Sequence, residues 1–194
     1  MRELVYFIAT SIDGFIADSD GDFSAFPTAM DTLTTLFERY PETCPAHLRG
    51  PLGITAEPRR FDTVVMGNRT YAPAVAAGLT AGAYPHLRQI VVAHGGIPLE
   101  GGPETIAGDI AQQVKDLKEK PGRDIWLCGG ASIAAQLIDV IDEIQVKINP
   151  VVMGRGIPLF GANVATRPLR CTDISALPGG VALITYRLTP RQEA

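Results

Sequence analysis

Four short segments of this 194-residue chain join glycines to polar side chains, three in patterns suited to an anionic ligand and one suited to covering a planar ring. The most informative is Asp124 to Leu137, Asp-Ile-Trp-Leu-Cys-Gly-Gly-Ala-Ser-Ile-Ala-Ala-Gln-Leu. It reads as strand, tight turn and helix. Gly129 and Gly130 let bare N–H groups, backed by the helix N-terminus, approach a phosphate. Many strand-to-helix turns carry glycine for packing alone, and taken by itself this turn weighs slightly towards packing. A second junction, Val64-Val65-Met66-Gly67-Asn68-Arg69-Thr70-Tyr71, sets Gly67 and Asn68 just before Arg69 and Thr70. A basic residue opposes the dipole at a helix start, so Arg69 there invites a ligand; guanidinium and hydroxyl both suit phosphate. A third run ends in Ala93-His94-Gly95-Gly96, where His94 offers a contact to phosphate or adenine.

The fourth segment, Ala9-Thr10-Ser11-Ile12-Asp13-Gly14-Phe15-Ile16-Ala17, carries one acid at its apex between apolar residues. Such a loop suits covering a planar ring. Asp13 reads equally as the first residue of an Asp-Gly turn and as an acid facing a substrate. Other chemistries find less support. There is no Gly-x-x-x-x-Gly-Lys-Ser/Thr, and no Gly-x-Gly-x-x-Gly follows the first strand, which disfavours a kinase or a standard Rossmann dehydrogenase. Cys44-Pro45-Ala46-His47 has the spacing of half a metal site with no matching second half, and Asp18 to Asp22 lacks the bidentate glutamate of a calcium loop, Ala29 standing in its place. No metal is expected, and Asp18 to Asp22 reads as an Asp/Gly-rich turn.

The elements that must position these groups are legible from periodicity. Apolar, β-rich runs at Leu4 to Ala9, Thr63 to Met66, Gln89 to Ala93, Ile125 to Cys128 and Ile144 to Ile148 alternate with helical patterns at Thr28 to Arg39, Arg69 to Ala77, Asp109 to Lys120 and Ser132 to Val140. That alternation predicts an α/β fold with a mostly parallel sheet. Three strand ends then converge on one sheet edge, where open α/β sheets bind ligands. Asp109 is the predicted N-cap of its helix, and Pro121-Gly122 ends it. Leu169 to Ala176 and Val181 to Leu188 read as a terminal antiparallel hairpin, and Pro41 to Arg60 as an irregular loop over the surface or the site.

Composition sets bounds. With 46% hydrophobic and 20% charged residues, the chain suits one domain spanning 1–194. Seventeen basic against 21 acidic residues give a net charge of −4, with no basic cluster to mark nucleic acid or an anionic membrane. No signal peptide and no apolar run of about 20 residues is present, so the expectation is a cytoplasmic protein. Three widely spaced cysteines fit a reducing compartment, with Cys128 a buried small hydrophobe.

Taken in order, Ser11 to Ala17, Met66 to Tyr71, Cys128 to Ser132 and Asn149-Pro150-Val151-Val152-Met153-Gly154-Arg155-Gly156-Ile157-Pro158-Leu159-Phe160 resemble the dihydrofolate reductase superfamily. The resemblance covers nearly the whole chain and is strongest to the branch related to the reductase domain of riboflavin biosynthesis. It implies a three-layer mixed α/β fold and NADPH as cofactor. It places Ala9 and Ile16 near the nicotinamide, and Gly67, Asn68, Arg69 and Thr70 near the phosphates. His94 falls by the adenosine 2′-phosphate, and Gly129, Gly130, Ala131, Ser132 and Ile133 form the pyrophosphate turn. The implied reaction is hydride transfer to a pterin-like or pyrimidine-like heterocycle, with proton delivery through Asp13, Asp31 or ordered water. Asp31 corresponds to the carboxylate that dihydrofolate reductases carry on their first helix, and reads equally as a solvated first-turn acid. Arg155 is a candidate contact to an anionic substrate. Riboflavin reductases carry an Ala-Asp-Asp-Pro-like segment after the second strand, whereas this chain has Arg69-Thr70-Tyr71-Ala72-Pro73. The riboflavin step itself is therefore the alternative, a non-catalytic nucleotide-binding module the other, and a homodimer fits the apolar C-terminal hairpin.

Overall fold

Apolar runs too hydrophobic to face water on either side must lie between two layers of helix. The computed structural model, which describes residues 1–93 and 102–189, has that arrangement. In chain order the elements are β1 (Leu4–Thr10), β2 (Phe15–Ala17), α1 (Met30–Arg39), α2 (Ala46–Arg49), β3 (Phe61–Gly67), α3 (Asn68–Ala76), β4 (Arg88–Val92) and β5 (Glu104–Ile106). They continue with α4 (Ile110–Glu119), β6 (Asp124–Gly129), α5 (Ala131–Gln136), β7 (Glu143–Ile148), β8 (Ile157–Pro158), β9 (Leu169–Ala176) and β10 (Ala182–Leu188). Eight strands form one sheet in the order β5-β4-β3-β6-β1-β7-β10-β9. The pairs from β5 to β7 are parallel, and the β10–β9 hairpin joins β7 antiparallel.

Period-two alternation divides the core between the two faces. Leu4, Tyr6, Val65, Ile90, Ile125, Leu127 and Ile144 pack against Ile110, Val114 and Leu117 of α4 and Ile133 and Ala134 of α5. Val5, Phe7, Val64, Met66, Trp126 and Leu183 pack against Leu36 and Phe37 of α1 and Tyr71 and Ala74 of α3. Each fully buried large side chain contributes roughly 1.5–3 kcal/mol. Asp109 caps α4, its carboxylate accepting the Gln112 N–H at 3.0 Å.

The amino-terminal edge of the parallel strands is held by ion pairs. Arg60 meets Glu143 at 2.9 Å and Asp124 at 3.2 Å, and Arg187 meets Glu3 at 2.9 Å. Lys118 pairs with Asp142 at 2.6 Å, and Arg2 pairs with Asp62.

Three local expectations change. The helix predicted over Ser132 to Val140 stops at Gln136, with Leu137 as its C-cap. The stretch Pro41 to Arg60 contains a 3-10 turn at Pro41–Thr43 and α2, and it is anchored rather than irregular. Its anchor is Glu42, fully buried, whose carboxylate accepts the N–H groups of Arg59, Arg60 and Phe61 at 3.1, 2.8 and 2.8 Å. A buried carboxylate is tolerated only with donors of this kind. Third, the short strands β2, β5 and β8 carry too few residues to show a period, and they went unforeseen.

Candidate active site at the carboxyl edge of the sheet

β3 and β6 are neighbours, so their terminal glycines meet. A Cβ added to Gly67 would lie 3.1 Å from Ile133 Cγ1 and 3.6 Å from Gly130 N, which leaves no slack between the two turns. Gly129 has φ +132°, a conformation L side chains rarely adopt, and it is joined to Gly130 by a cis peptide bond. A Cβ on either glycine would stand 3.6 Å from Thr70 Oγ1, and one on Gly129 would stand 3.5 Å from Ile8 Cδ1. The structure therefore brings Gly67, Thr70, Gly129, Gly130 and Ile133 together around one open turn. Asn68 and Arg69 are exposed in the first turn of α3, for which Gly67 is the N-cap. Ala131 is buried at the start of α5, and its carbonyl accepts the Gly161 N–H at 2.9 Å. Ser132 is exposed and accepts from Gln136 Nε2 at 3.3 Å. His94 lies outside the described residues.

The loop after β1 is clamped to the chain after β7. Ile12 N–H donates to Val151 O at 2.8 Å, Leu159 N–H to Gly14 O at 2.9 Å, and β2 pairs antiparallel with β8. Asp13 completes the clamp, accepting the N–H groups of Met153 at 3.1 Å and Gly154 at 2.7 Å. The Ser11 hydroxyl, with these backbone donors, holds its carboxyl down at about 2. At neutral pH Asp13 carries no proton to deliver. Ile16 sits half-buried in β2, Ala9 half-buried near the end of β1, and Arg155 exposed beside the Met153–Gly154 turn.

Asp31 lies on the outer side of α1. α1 buries Thr32, Leu36 and Phe37. At about 100° per residue, Asp31 falls on the opposite side of the helix, and it is exposed.

Sequence reasoning passed over the polar groups on the face of the sheet that α1 covers. Lys147 of β7 lies in register with Ala9 of β1, and its Nζ sits 4.7 Å from the centre of the Phe7 ring. Burial pushes the Cys128 thiol up to about 12, partly opposed by Lys147 and by the Tyr84 hydroxyl that bonds it. Tyr71 is 3% exposed, and its hydroxyl has no hydrogen-bond partner among the described residues. The run Glu143-Ile144-Gln145-Val146-Lys147-Ile148 alternates as a half-solvated strand would. Alternation says which residues share a face, not whether a distant helix covers it.

A profile of the RibD C-terminal domain matches residues 84–183, just over half of the chain. The uncharacterized protein YwjB of Bacillus subtilis is 30% identical over 82% of this chain and 83% of its own length. The chain belongs to the RibD C-terminal domain family. A second B. subtilis protein, YyaP, also uncharacterized, is 39% identical over 83 residues, 42% of this chain and 44% of that protein. Solved structures agree on the fold. A protein assigned to riboflavin biosynthesis in Shewanella sp. PV-4 superposes with a TM-score of 0.67 at 24% identity, covering 97% of this chain and 99% of that one. Dihydrofolate reductase from Enterococcus faecalis, complexed with NADP(H), gives 0.63 at 14% identity, covering 96% of each chain. The deaminase/5-amino-6-(5-phosphoribosylamino)uracil reductase of Thermotoga maritima gives 0.63 at 16% identity, covering 97% of this chain and 57% of that protein. This member of the RibD C-terminal domain family thus has a fold shared with dihydrofolate reductase.

Proposed function

We propose that the protein is an NADPH-dependent reductase acting on a pterin-like or pyrimidine-like small heterocycle. The observation that carries this reading is the cradle of Gly67, Gly129 and Gly130 beside Thr70, with Arg69 exposed at its rim. Side chains at these glycines would fill or distort the turn, and a phosphate needs bare N–H groups, a hydroxyl and a cation within reach. The residues present fit that requirement. Family membership supports the same reading, as does the NADP(H) named with the Enterococcus structure.

When bound, NADPH supplies the hydride. Gly67, Gly129, Gly130, Ala131, Ser132 and Ile133 would hold its pyrophosphate, with Asn68, Arg69 and Thr70 supplying polar contacts. Ala9, small and at the end of β1, leaves space for a planar ring, and Ile16 in the clamped loop would cover it and exclude water. With Asp13 engaged and Asp31 turned away, ordered water is the proposed carrier of the proton.

The RibD C-terminal match favours a second reading, reduction of a ribosylaminopyrimidine phosphate. Both are tested by titrating NADPH into the protein and following its oxidation with dihydrofolate and with that pyrimidine. NADPH binding with turnover of either assigns the substrate class. Tight binding without turnover across a broad heterocycle panel would instead favour a nucleotide-binding module, and no binding would overturn the cofactor placement.

A further inference from the structure

Two lysines pack against the sheet, Lys118 buried and Lys147 half-buried, and they are treated differently. Lys118 of α4 is paired with Asp142 and donates to Val140 O at 3.1 Å. Lys147 has no ion-pair partner among the described residues, and the contact it makes is with the face of the Phe7 ring. Its titratable neighbours are neutral at pH 7: the Cys128 thiol from β6 and, bonded to that thiol, the Tyr84 hydroxyl from the segment before β4. The acids of α1 do not reach it, since Asp31 and Glu38 are both exposed on the far side of that helix. Burial lowers the Lys147 ammonium to about 8, with Cys128 acting against the shift. An unpaired, desolvated cation is costly, and such groups collect where a ligand completes them.

The placement of this cation is specific. Lys147 pairs with Ala9, the residue whose small side chain leaves room at the end of β1, and both share the α1-covered face with Phe7. A heterocycle lying over Ala9 would meet the ammonium from the β7 side. A carboxylate in this position would recognise the amidine-like donor edge of a 2-aminoheterocycle; an ammonium recognises the opposite pattern.

We propose that Lys147 contacts the substrate and donates to an anionic or enolised oxygen of its ring, selecting heterocycles that present an acceptor edge to this face. The inference rests on the reductase reading for the identity of the pocket and is tested separately from it. The probes are barbiturate, an enolate with an acceptor edge, and 2,4-diaminopyrimidine, with a donor edge. Each is titrated calorimetrically into the full chain with and without NADPH, for wild type, Lys147→Met and Lys147→Arg. Barbiturate is expected to bind wild type, to lose at least about tenfold in affinity in Lys147→Met, the size of one charge-assisted hydrogen bond, and to recover in part in Lys147→Arg. In wild type its affinity should fall as pH rises through 8, and diaminopyrimidine should gain nothing from the lysine. NADPH affinity in Lys147→Met reports that the fold and the cofactor cradle are intact. Absence of barbiturate binding, affinity indifferent to Lys147→Met, or preference for diaminopyrimidine overturns the proposal. Failure of NADPH to bind wild type overturns the reductase reading instead.

Discussion

The two ends of the parallel strands are built on opposite terms. At the amino-terminal edge charges are matched: Arg60 bridges Glu143 and Asp124, Arg187 meets Glu3, and Lys118 meets Asp142. At the carboxyl edge polar groups are left open: among the described residues Lys147 has no counter-ion and the Tyr71 hydroxyl no hydrogen-bond partner, and Arg69 lies in solvent. The first arrangement satisfies groups that folding desolvates. The second leaves Tyr71 and Lys147 partly or wholly removed from water without such partners, at a cost in stability that the opposite edge helps offset.

This contrast is broken most severely from the matched end. Glu42→Ala strips three backbone N–H groups of their acceptor, and chemical denaturation should show a loss of about 3 kcal/mol. Protein that remains folded should keep its NADPH affinity; a mutant that binds weakly while fully folded contradicts the division of labour. At the open end Lys147→Met should do the reverse and stabilise the ligand-free protein by about 2 kcal/mol at pH 7. The sign follows from linkage. The folded-state lysine titrates at about 8 against an ordinary 10.5, so the unfolded chain binds more protons between those values and wild-type stability rises across that window. The advantage of Lys147→Met should shrink correspondingly, and a difference in melting temperature that is flat from pH 7 to 10 would count against a desolvated ammonium.

Arg69→Ala should weaken NADPH binding about tenfold, about 1.4 kcal/mol, with no change in melting temperature. Gly130→Val should weaken it as well, through side-chain bulk in the turn, and unchanged affinity in both variants would remove the phosphates from this edge. The smallest effect is expected from Asp13→Asn: faster amide exchange at Met153 and Gly154, with global stability unchanged. Because the Asp13 carboxyl is held below its ordinary value, its clamp is complete above about pH 4 and is lost as pH falls through about 2. Equal protection of those two amides at pH 2 and pH 6, relative to the intrinsic exchange rate at each pH, would exclude the clamp.

Much of the site was legible because it depends on local backbone geometry. Gly67, Gly129 and Gly130 announce tight strand-to-helix turns in the residue types themselves, and strand order needed only the parallel α/β pattern to bring the turns together. What escaped depended on long-range cover. Lys147 looks solvent-facing until α1 is laid over its side of the sheet, and Asp31 looks available until helix phase turns it outward. The clamp between Ser11–Ala17 and Val151–Leu159 joins segments about 140 residues apart through two strands of two or three residues, too short to leave a periodic trace. Asp13 could be read two ways from its Asp-Gly context, and neither reading foresaw its bonds to the amides of Met153 and Gly154.

The position of β1 has a consequence for how the chain comes into being. Residues 4–10 leave the ribosome well before both neighbours of that strand, Asp124–Gly129 and Glu143–Ile148, which come from the far half of the chain. During synthesis at roughly 5–20 residues per second, this apolar segment must wait several seconds, unpaired, for its partners. High contact order of this kind predicts slow refolding and transient exposure of a sticky edge. Chaperone dependence during expression should therefore track Leu4 to Ile8 rather than the later, locally paired C-terminal hairpin.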